Sequence, residues 1–303
     1  MRYTQIPGTD IQISRLCLGT MTFGSPVARE DAVRLTRYAL DAHGVNFVDT
    51  ANMYEGYNRV AGSAGGVAEE IVGEAVRGRR ADFVLATKVG MKVGPEPTDE
   101  NTSPEAIRVQ LRRSLKRMGT DYVDLYYLHR FDPNTEPGAI ARAIGEELRA
   151  GAIRAWGVSN YTADQLAALL AAAEAEGVPR PAMCQPALSL LNTDALQTLL
   201  PLCASRGVGV VPYQILQGGV LTGKYRRGQA APEGSRQAEK PDWVKPITDR
   251  EYDVIRQCEE AAREAGLTMT QYALRWALAQ PGVASALVGV KREAQIDEAA
   301  AAL

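Results

Sequence analysis

Asn46-Phe47-Val48-Asp49-Thr50-Ala51-Asn52-Met53-Tyr54 joins a short apolar run to a carboxylate and, five residues later, a phenol. Phe47-Val48 reads as a buried strand, and Asp49 sits where that strand leaves the core. A carboxylate is costly to bury unless a cation pairs with it. The rest of the chain is therefore read for that cation, and for what a tyrosine beside the pair can do.

Outward from this stretch, strand-like and helix-like segments alternate. Strands are expected at 15–20, 46–50, 83–88, 122–128, 153–158, 182–185, 208–213 and 285–289, with helices near 29–42, 66–78, 103–118, 137–150, 162–176, 193–206, 249–265 and 268–279. Ser103-Pro104-Glu105 supplies a helix cap ahead of Ile107, Leu111 and Leu115 at helical spacing. Residues 2 to 14 alternate around Pro7-Gly8-Thr9-Asp10 and read as a β-hairpin ahead of the main fold. Eight strands with helical crossovers are what a closed (β/α)8 barrel of the TIM type requires, at roughly 250 residues plus insertions. A doubly wound open sheet is the alternative, but Gly19-Thr20-Met21-Thr22-Phe23-Gly24 lacks the glycine spacing expected after its first strand. After the seventh strand the alternation stops from Gln214 to Arg250, a long loop of the kind that usually carries function. A final helix spans Glu293 to Leu303.

The 303 residues are 46% hydrophobic, enough for a large core, and no Pro/Ser-rich linker divides them, so one domain over 1–303 is expected. Lys and Arg total 34 against 36 Asp and Glu, a net charge of -2 that leaves no electrostatic footprint for nucleic acid or an anionic membrane. Cys17, Cys184, Cys203 and Cys258 lack the spacing of metal clusters or redox pairs and read as buried thiols of a reducing compartment. With no signal core and no spanning segment, the expectation is a soluble, cytoplasmic protein whose oligomeric state is left open.

In such barrels the chemistry lies at the carboxyl ends of the strands. There the chain places Asp49, Thr87-Lys88, Leu128-His129, Ser159-Asn160, Gln185, Tyr213, and Gly289 followed by Lys291. Lys88 is the natural partner of Asp49, although a lysine at a strand end more often snorkels to water. A nearby ammonium favours the phenolate of a tyrosine, so Tyr54 is expected to be a general acid whose pKa Lys88 lowers, with Asp49 orienting the lysine. The bland alternative is an amphipathic aromatic at a barrel mouth. His129 is either a satisfied core histidine or a donor to a substrate oxygen; His43, in a last helical turn, is given no function. These four groups can protonate a carbonyl oxygen but contain no reductant, so a cofactor must carry that step. Phe23 is expected to line a pocket, and Trp156 to be core.

Together these segments closely resemble the aldo-keto reductases over nearly the whole chain. The resemblance rests on Asn46 to Ala51 with Tyr54, on Thr87-Lys88, on Asp121 to His129, on Gly157-Val158-Ser159-Asn160, and on Pro212-Tyr213 through Leu221-Thr222-Gly223-Lys224-Tyr225. It implies a (β/α)8 barrel performing reversible NADPH-dependent carbonyl reduction on a small-molecule substrate, with Asp49, Tyr54, Lys88 and His129 as the catalytic tetrad. It further implies that Thr20, Met21 and Asp49 lie against the cofactor, that Ser159, Asn160 and Gln185 hold the carboxamide, and that Tyr213 stacks under the nicotinamide. Gln214, Leu216, Gln217, Gly218, Leu221, Gly223 and Lys224 would cover the pyrophosphate, making the long loop a cofactor clasp. Gly289, Lys291, Arg292, Gln295 and Glu298 resemble the adenosine end, where Lys291 and Arg292 would favour NADPH over NADH unless they are merely solvated helix-start cations.

The chain departs from the family at Ala299, at Gln214, in the glycine-rich connection Glu55 to Gly65, and in its short C-terminal tail. These departures predict a wide or partner-completed mouth. A nicotinamide-binding regulatory subunit of the same superfamily stays open as a second reading. An acid/base hydrolase, which needs two carboxylates at the mouth where only Asp49 is evident, is the third.

Overall fold

The structure is a computed structural model that describes residues 1–303. Its strands are β1 (Tyr3–Gln5), β2 (Gln12–Ser14), β3 (Leu16–Gly19), β4 (Phe47–Asp49), β5 (Val84–Val89), β6 (Val123–Leu128), β7 (Ile153–Ser159), β8 (Met183–Gln185), β9 (Gly209–Val210) and β10 (Ala286–Gly289). The helices are α1 (Arg29–His43), α2 (Val67–Val76), α3 (Pro104–Met118), α4 (Pro137–Arg149), α5 (Ala163–Ala175), α6 (Leu199–Arg206), α7 (Arg236–Glu239), α8 (Asp249–Glu264), α9 (Met269–Leu278) and α10 (Glu293–Ala300). None is long and apolar enough to cross a membrane.

Eight strands form one parallel sheet in the order β10-β3-β4-β5-β6-β7-β8-β9, curled as an α/β barrel requires. Near its two outer strands, Val210 donates to Gly282 O at 2.9 Å, Ala284 to Val210 O at 2.8 Å, and Leu287 to Pro212 O at 3.2 Å. Side chains on successive strand residues point to opposite faces, and the apolar residues accordingly sort into two clusters. An inner one takes Cys17, Phe47, Ala86, Leu125, Tyr127, Ala155 and Met183 from consecutive strands, together with Ile6, Ile11 and Ile13 of the antiparallel β1–β2 pair and the turn joining it. The larger outer cluster lies between the strands and the helices. The two faces of each strand thus have different partners, which fixes the register: a slip by one residue would exchange inner and outer side chains.

Local chemistry explains where elements start and stop. Ser103 Oγ accepts from Ala106 N at 3.2 Å with Pro104 at the first helical position, and Thr162 with Gln165 forms a reciprocal capping box at α5. Gly44 ends α1 in the left-handed conformation at φ 67°. Three segments differ from the sequence pattern. The helix expected at 193–206 begins only at Leu199, after a 3-10 turn at Asp194–Leu196; Pro201 lacks the N–H a longer helix needs and is tolerated only in a first turn. The strand expected at 208–213 is confined to Gly209–Val210 because Pro212 cannot donate to a ladder. The stretch 214–250 is not structureless, since it holds a 3-10 segment at Gln217–Thr222, α7, and a turn at Pro241–Trp243.

Candidate active site

At the carboxyl end of the sheet, β4 and β5 bring Asp49 and Lys88 together. Both are buried, with side-chain exposures of 1% and 0%, and the ammonium pairs directly with Asp49 Oδ1. Its other donors go to Thr50 O at 2.8 Å and Tyr54 Oη at 3.3 Å, so all three ammonium hydrogens have an acceptor. Burial alone pushes Lys88 down; the Asp49 carboxylate, with Tyr54, outweighs it and holds the pKa above its ordinary value. Asp49 is held from two further sides, by Gln185 Nε2 donating to Oδ2 at 2.9 Å and by the Thr20 amide and hydroxyl, both at 3.0 Å from its carbonyl. The carboxylate therefore orients the lysine and has little freedom of its own.

Tyr54 is half-buried on the cavity wall, its ring edge-to-face with His129 at 5.8 Å between centroids. The direction of its pKa shift corrects the expectation. Burial of the hydroxyl raises it above the ordinary phenol value, and the Lys88 ammonium only opposes that rise. Tyr54 is thus protonated at neutral pH.

His129 follows β6, its backbone amide donating to Val89 O at 2.7 Å and its Nδ1 without a hydrogen-bond partner. Burial, reinforced by the Lys88 and Arg130 charges, drives its pKa well below the ordinary histidine value, so the ring is neutral. A histidine held neutral only in the fold binds fewer protons than the unfolded chain below pH ~6.5. Its contribution is complete above that pH and is lost as pH falls. In urea titrations from pH 7 to 5, His129→Asn is therefore expected to lose stability less steeply than the wild type; parallel slopes would contradict a neutral buried imidazole.

A shelf of amides and hydroxyls completes this end of the cavity. Ser159 Oγ donates to Gln185 O at 2.9 Å, Asn160 Nδ2 to His129 O at 2.8 Å, and Tyr213 Oη to Asn160 Oδ1 at 2.6 Å. Asn160 adopts φ 60°, a left-handed conformation that asparagine tolerates better than most residues. Gly157, in β7, lets the Tyr127 ring lie against it; an added Cβ would come within 2.8 Å of that ring.

These groups open into a cavity of about 390 Å³. Of the residues singled out in the sequence, Thr20, Met21, Asp49, Tyr54, His129, Ser159, Asn160, Gln185, Tyr213, Gln214, Leu216, Gly218, Lys224, Gly289, Lys291 and Gln295 line it. Lys88 lies behind Asp49 and Tyr54. Gln217, Leu221, Gly223, Arg292 and Glu298 stand off the wall; Gln217 Nε2 donates to Ser189 Oγ at 2.8 Å, and Glu298 accepts from Thr268 Oγ1 at 2.7 Å. Phe23 is not a pocket residue but fully buried in the outer cluster, as is Trp156, whose indole donates to Pro179 O at 2.7 Å.

The sequence reading misses Tyr57, Arg236, Met53 and Met91 on the wall. Arg236 has a recognisable signal in retrospect, because Ser235-Arg236 is the capped start of α7: Ser235 Oγ accepts from Ala238 N at 3.3 Å. Around this far end Lys291 pairs with Glu239 and donates to Gly234 O at 2.9 Å, which ties α7 to the segment after β10. Lys224 is lowered from its ordinary pKa by burial and by the neighbouring Lys291, with Arg236 and Arg292 adding to the effect. Cations thus converge at one end of the cavity, and a buried acid–lysine pair with a phenol lies at the other. Among His, Cys, Asp and Glu, no group of three or more is arranged to hold a metal.

The chain is 34% identical over 308 residues to a probable voltage-gated potassium channel subunit beta of Arabidopsis thaliana, covering 98% of this chain and 90% of that one. It is 31% identical over 314 residues to the L-glyceraldehyde 3-phosphate reductase of Escherichia coli (strain K12), covering 100% and 88%, and 34% identical over 315 residues to protein tas of the same strain, covering 95% and 89%. A model of the aldo/keto reductase family matches residues 15–303, and the chain belongs to that family.

Proposed function

We propose that the protein is an NADPH-dependent reductase of aldehydes or ketones, acting in a reducing cytoplasm as one (β/α)8 barrel domain. The observation that carries this reading is Lys88, fully buried with its ammonium divided among Asp49, Thr50 O and the Tyr54 hydroxyl at the cavity wall. Tyr54 is the proton donor to the carbonyl oxygen, Lys88 and Asp49 position it, and neutral His129 donates to the same oxygen as charge develops.

The remaining lining suits a dinucleotide. The polar shelf of Ser159, Asn160 and Gln185 would hold a carboxamide, Tyr213 would support the ring, and Lys224, Arg236 and Lys291 would hold phosphates. Thr20, Met21, Gln214, Leu216, Gly218, Gly289 and Gln295 complete the surface. Bound there, NADPH supplies the hydride that no side chain can.

The relatives' names include a reductase and a channel subunit, and the latter favours a second reading: a nicotinamide-binding subunit that reports redox state to a membrane partner. Following NADPH absorbance with and without carbonyl substrates separates the two. Carbonyl-dependent oxidation is expected; tight binding with no oxidation across aldehydes and ketones would favour the second reading. In the same assay Lys291→Glu is expected to weaken NADPH by about 10-fold or more and NADH far less. Equal weakening of both would remove Lys291 from the 2′-phosphate site.

A further inference from the structure

The cavity is chemically divided, and the division is visible in which strands its charges follow. The segments after β3, β4, β5 and β6 surround Tyr54, and they contain three cations apart from the histidine: Arg59, Lys92 and Arg130. None of the three lines the cavity. Arg59 lies 3.4 Å from Glu55 and also donates to Ser63 and Lys92 O; its side chain is 14% exposed. Lys92 and Arg130 both pair with Glu100, at 3.5 and 2.9 Å, and Arg130 Nε donates to Gly90 O at 3.1 Å. Apart from Met21, Thr20 and Thr22 on the cofactor side, what these segments present to the cavity is Met53 and Met91 beside Tyr54, Tyr57 and His129. Thioether side chains are apolar and conformationally adaptable, suited to substituents of varied shape.

The cations that do line the cavity, Lys224, Arg236 and Lys291, come from the segments after β9 and β10, and Tyr57 contacts two of them. It is buried at 5% exposure. Arg236 Nε donates to its hydroxyl at 3.4 Å, the Lys291 ammonium lies 5.3 Å from its ring centroid, and Trp243 packs edge-to-face at 5.5 Å. Gly56 makes the position possible: its φ is 62°, and an added Cβ would meet the Ser25 backbone. The Tyr57 amide is fixed on Ser25 O at 2.8 Å. Tyr57 therefore occupies Arg236 through its hydroxyl and Lys291 through its ring.

From this division we propose that the substrate end accepts uncharged carbonyl compounds with apolar or aromatic substituents and discriminates against those carrying a carboxylate or phosphate. The proposal rests on the reductase reading only for the word substrate; the binding preference belongs to the wall itself. An anionic substituent would leave water for a wall of Met53, Met91 and uncharged aromatic groups to which these segments contribute no cation, and an unpaired charge is costly to desolvate.

Matched pairs differing by one anionic group test this: benzaldehyde against 4-carboxybenzaldehyde, and glyceraldehyde against glyceraldehyde 3-phosphate. The uncharged member of each pair is expected to show kcat/KM higher by about 10-fold or more, and Met91→Lys to narrow the benzaldehyde gap. Equal or reversed preference overturns the proposal. Calorimetric titration of the same pairs into wild-type protein with NADP⁺, where no turnover occurs, gives an independent reading. Tighter binding of the uncharged members supports the proposal even if no carbonyl is reduced, and equal binding overturns it even if reduction is fast.

Discussion

Tyr54→Phe is expected to lower carbonyl reduction by about 10²–10⁴-fold, the range contributed by a positioned general acid, while NADPH still binds. The variant deletes one oxygen. The ring remains edge-to-face with His129 at 5.8 Å and beneath the Lys88 ammonium at 4.8 Å, so the wall keeps its shape. Lys88 loses the hydroxyl at 3.3 Å but retains Asp49 and Thr50 O. The raised pKa of Tyr54 adds a pH signature: the donor stays protonated through the neutral range, so reduction should be level there and decline only above pH ~10. Alcohol oxidation needs the phenolate and should climb over the alkaline range in the wild type and not in the variant. Fluorescence titration of NADPH with steady-state rates from neutral pH to about pH 11, past the ordinary phenol value, checks all three expectations. Turnover surviving the substitution would assign proton transfer to another group.

How much of this was legible in the sequence depends on whether the signal was local. β4 ends in Asp49 and β5 carries Thr87-Lys88 just before its last residue, and strand ends in a parallel sheet share one rim, so the pairing of Asp49 with Lys88 follows from pattern and electrostatics alone. The sign of the Tyr54 shift did not follow, because it depends on how far burial outweighs a neighbouring charge, which the chain's order does not state. Phe23 sits between polar residues near a strand end and reads as pocket, yet its bridge with Val27 turns that segment inward and buries it. The meeting of Tyr57 with Arg236 was invisible for a further reason, even though Ser235 marks a helix start beside Arg236. Tyr57 lies in a glycine-rich stretch with no period and Arg236 opens a four-residue helix, and they meet only because segments far apart in sequence line the same cavity.

The largest effect on stability is expected at Asp49. Asp49→Asn preserves volume and the contact with Gln185 but leaves the Lys88 ammonium buried without a counter-charge, which costs about 3–5 kcal/mol when a buried pair is broken from one side. Lys88→Met alone should also be costly, because Asp49 then keeps its charge with only Gln185 and backbone neighbours. The double variant should recover much of the loss, since removing both charges removes the desolvation penalty along with the attraction. The single Asp49→Asn variant also acquires a pH dependence. With Asp49 gone, only Tyr54 opposes the burial of Lys88, and the folded pKa moves down. The unfolded chain then binds the extra proton up to pH ~10.4, so the variant's stability rises with pH and is lost as pH falls. Urea denaturation at pH 7 and pH 9.5 should therefore find Asp49→Asn closer to wild type at the higher pH. Additive losses in the double variant, or a deficit independent of pH, would mean that Lys88 is not charged in the fold. In that case its role in positioning the Tyr54 proton would fall with it.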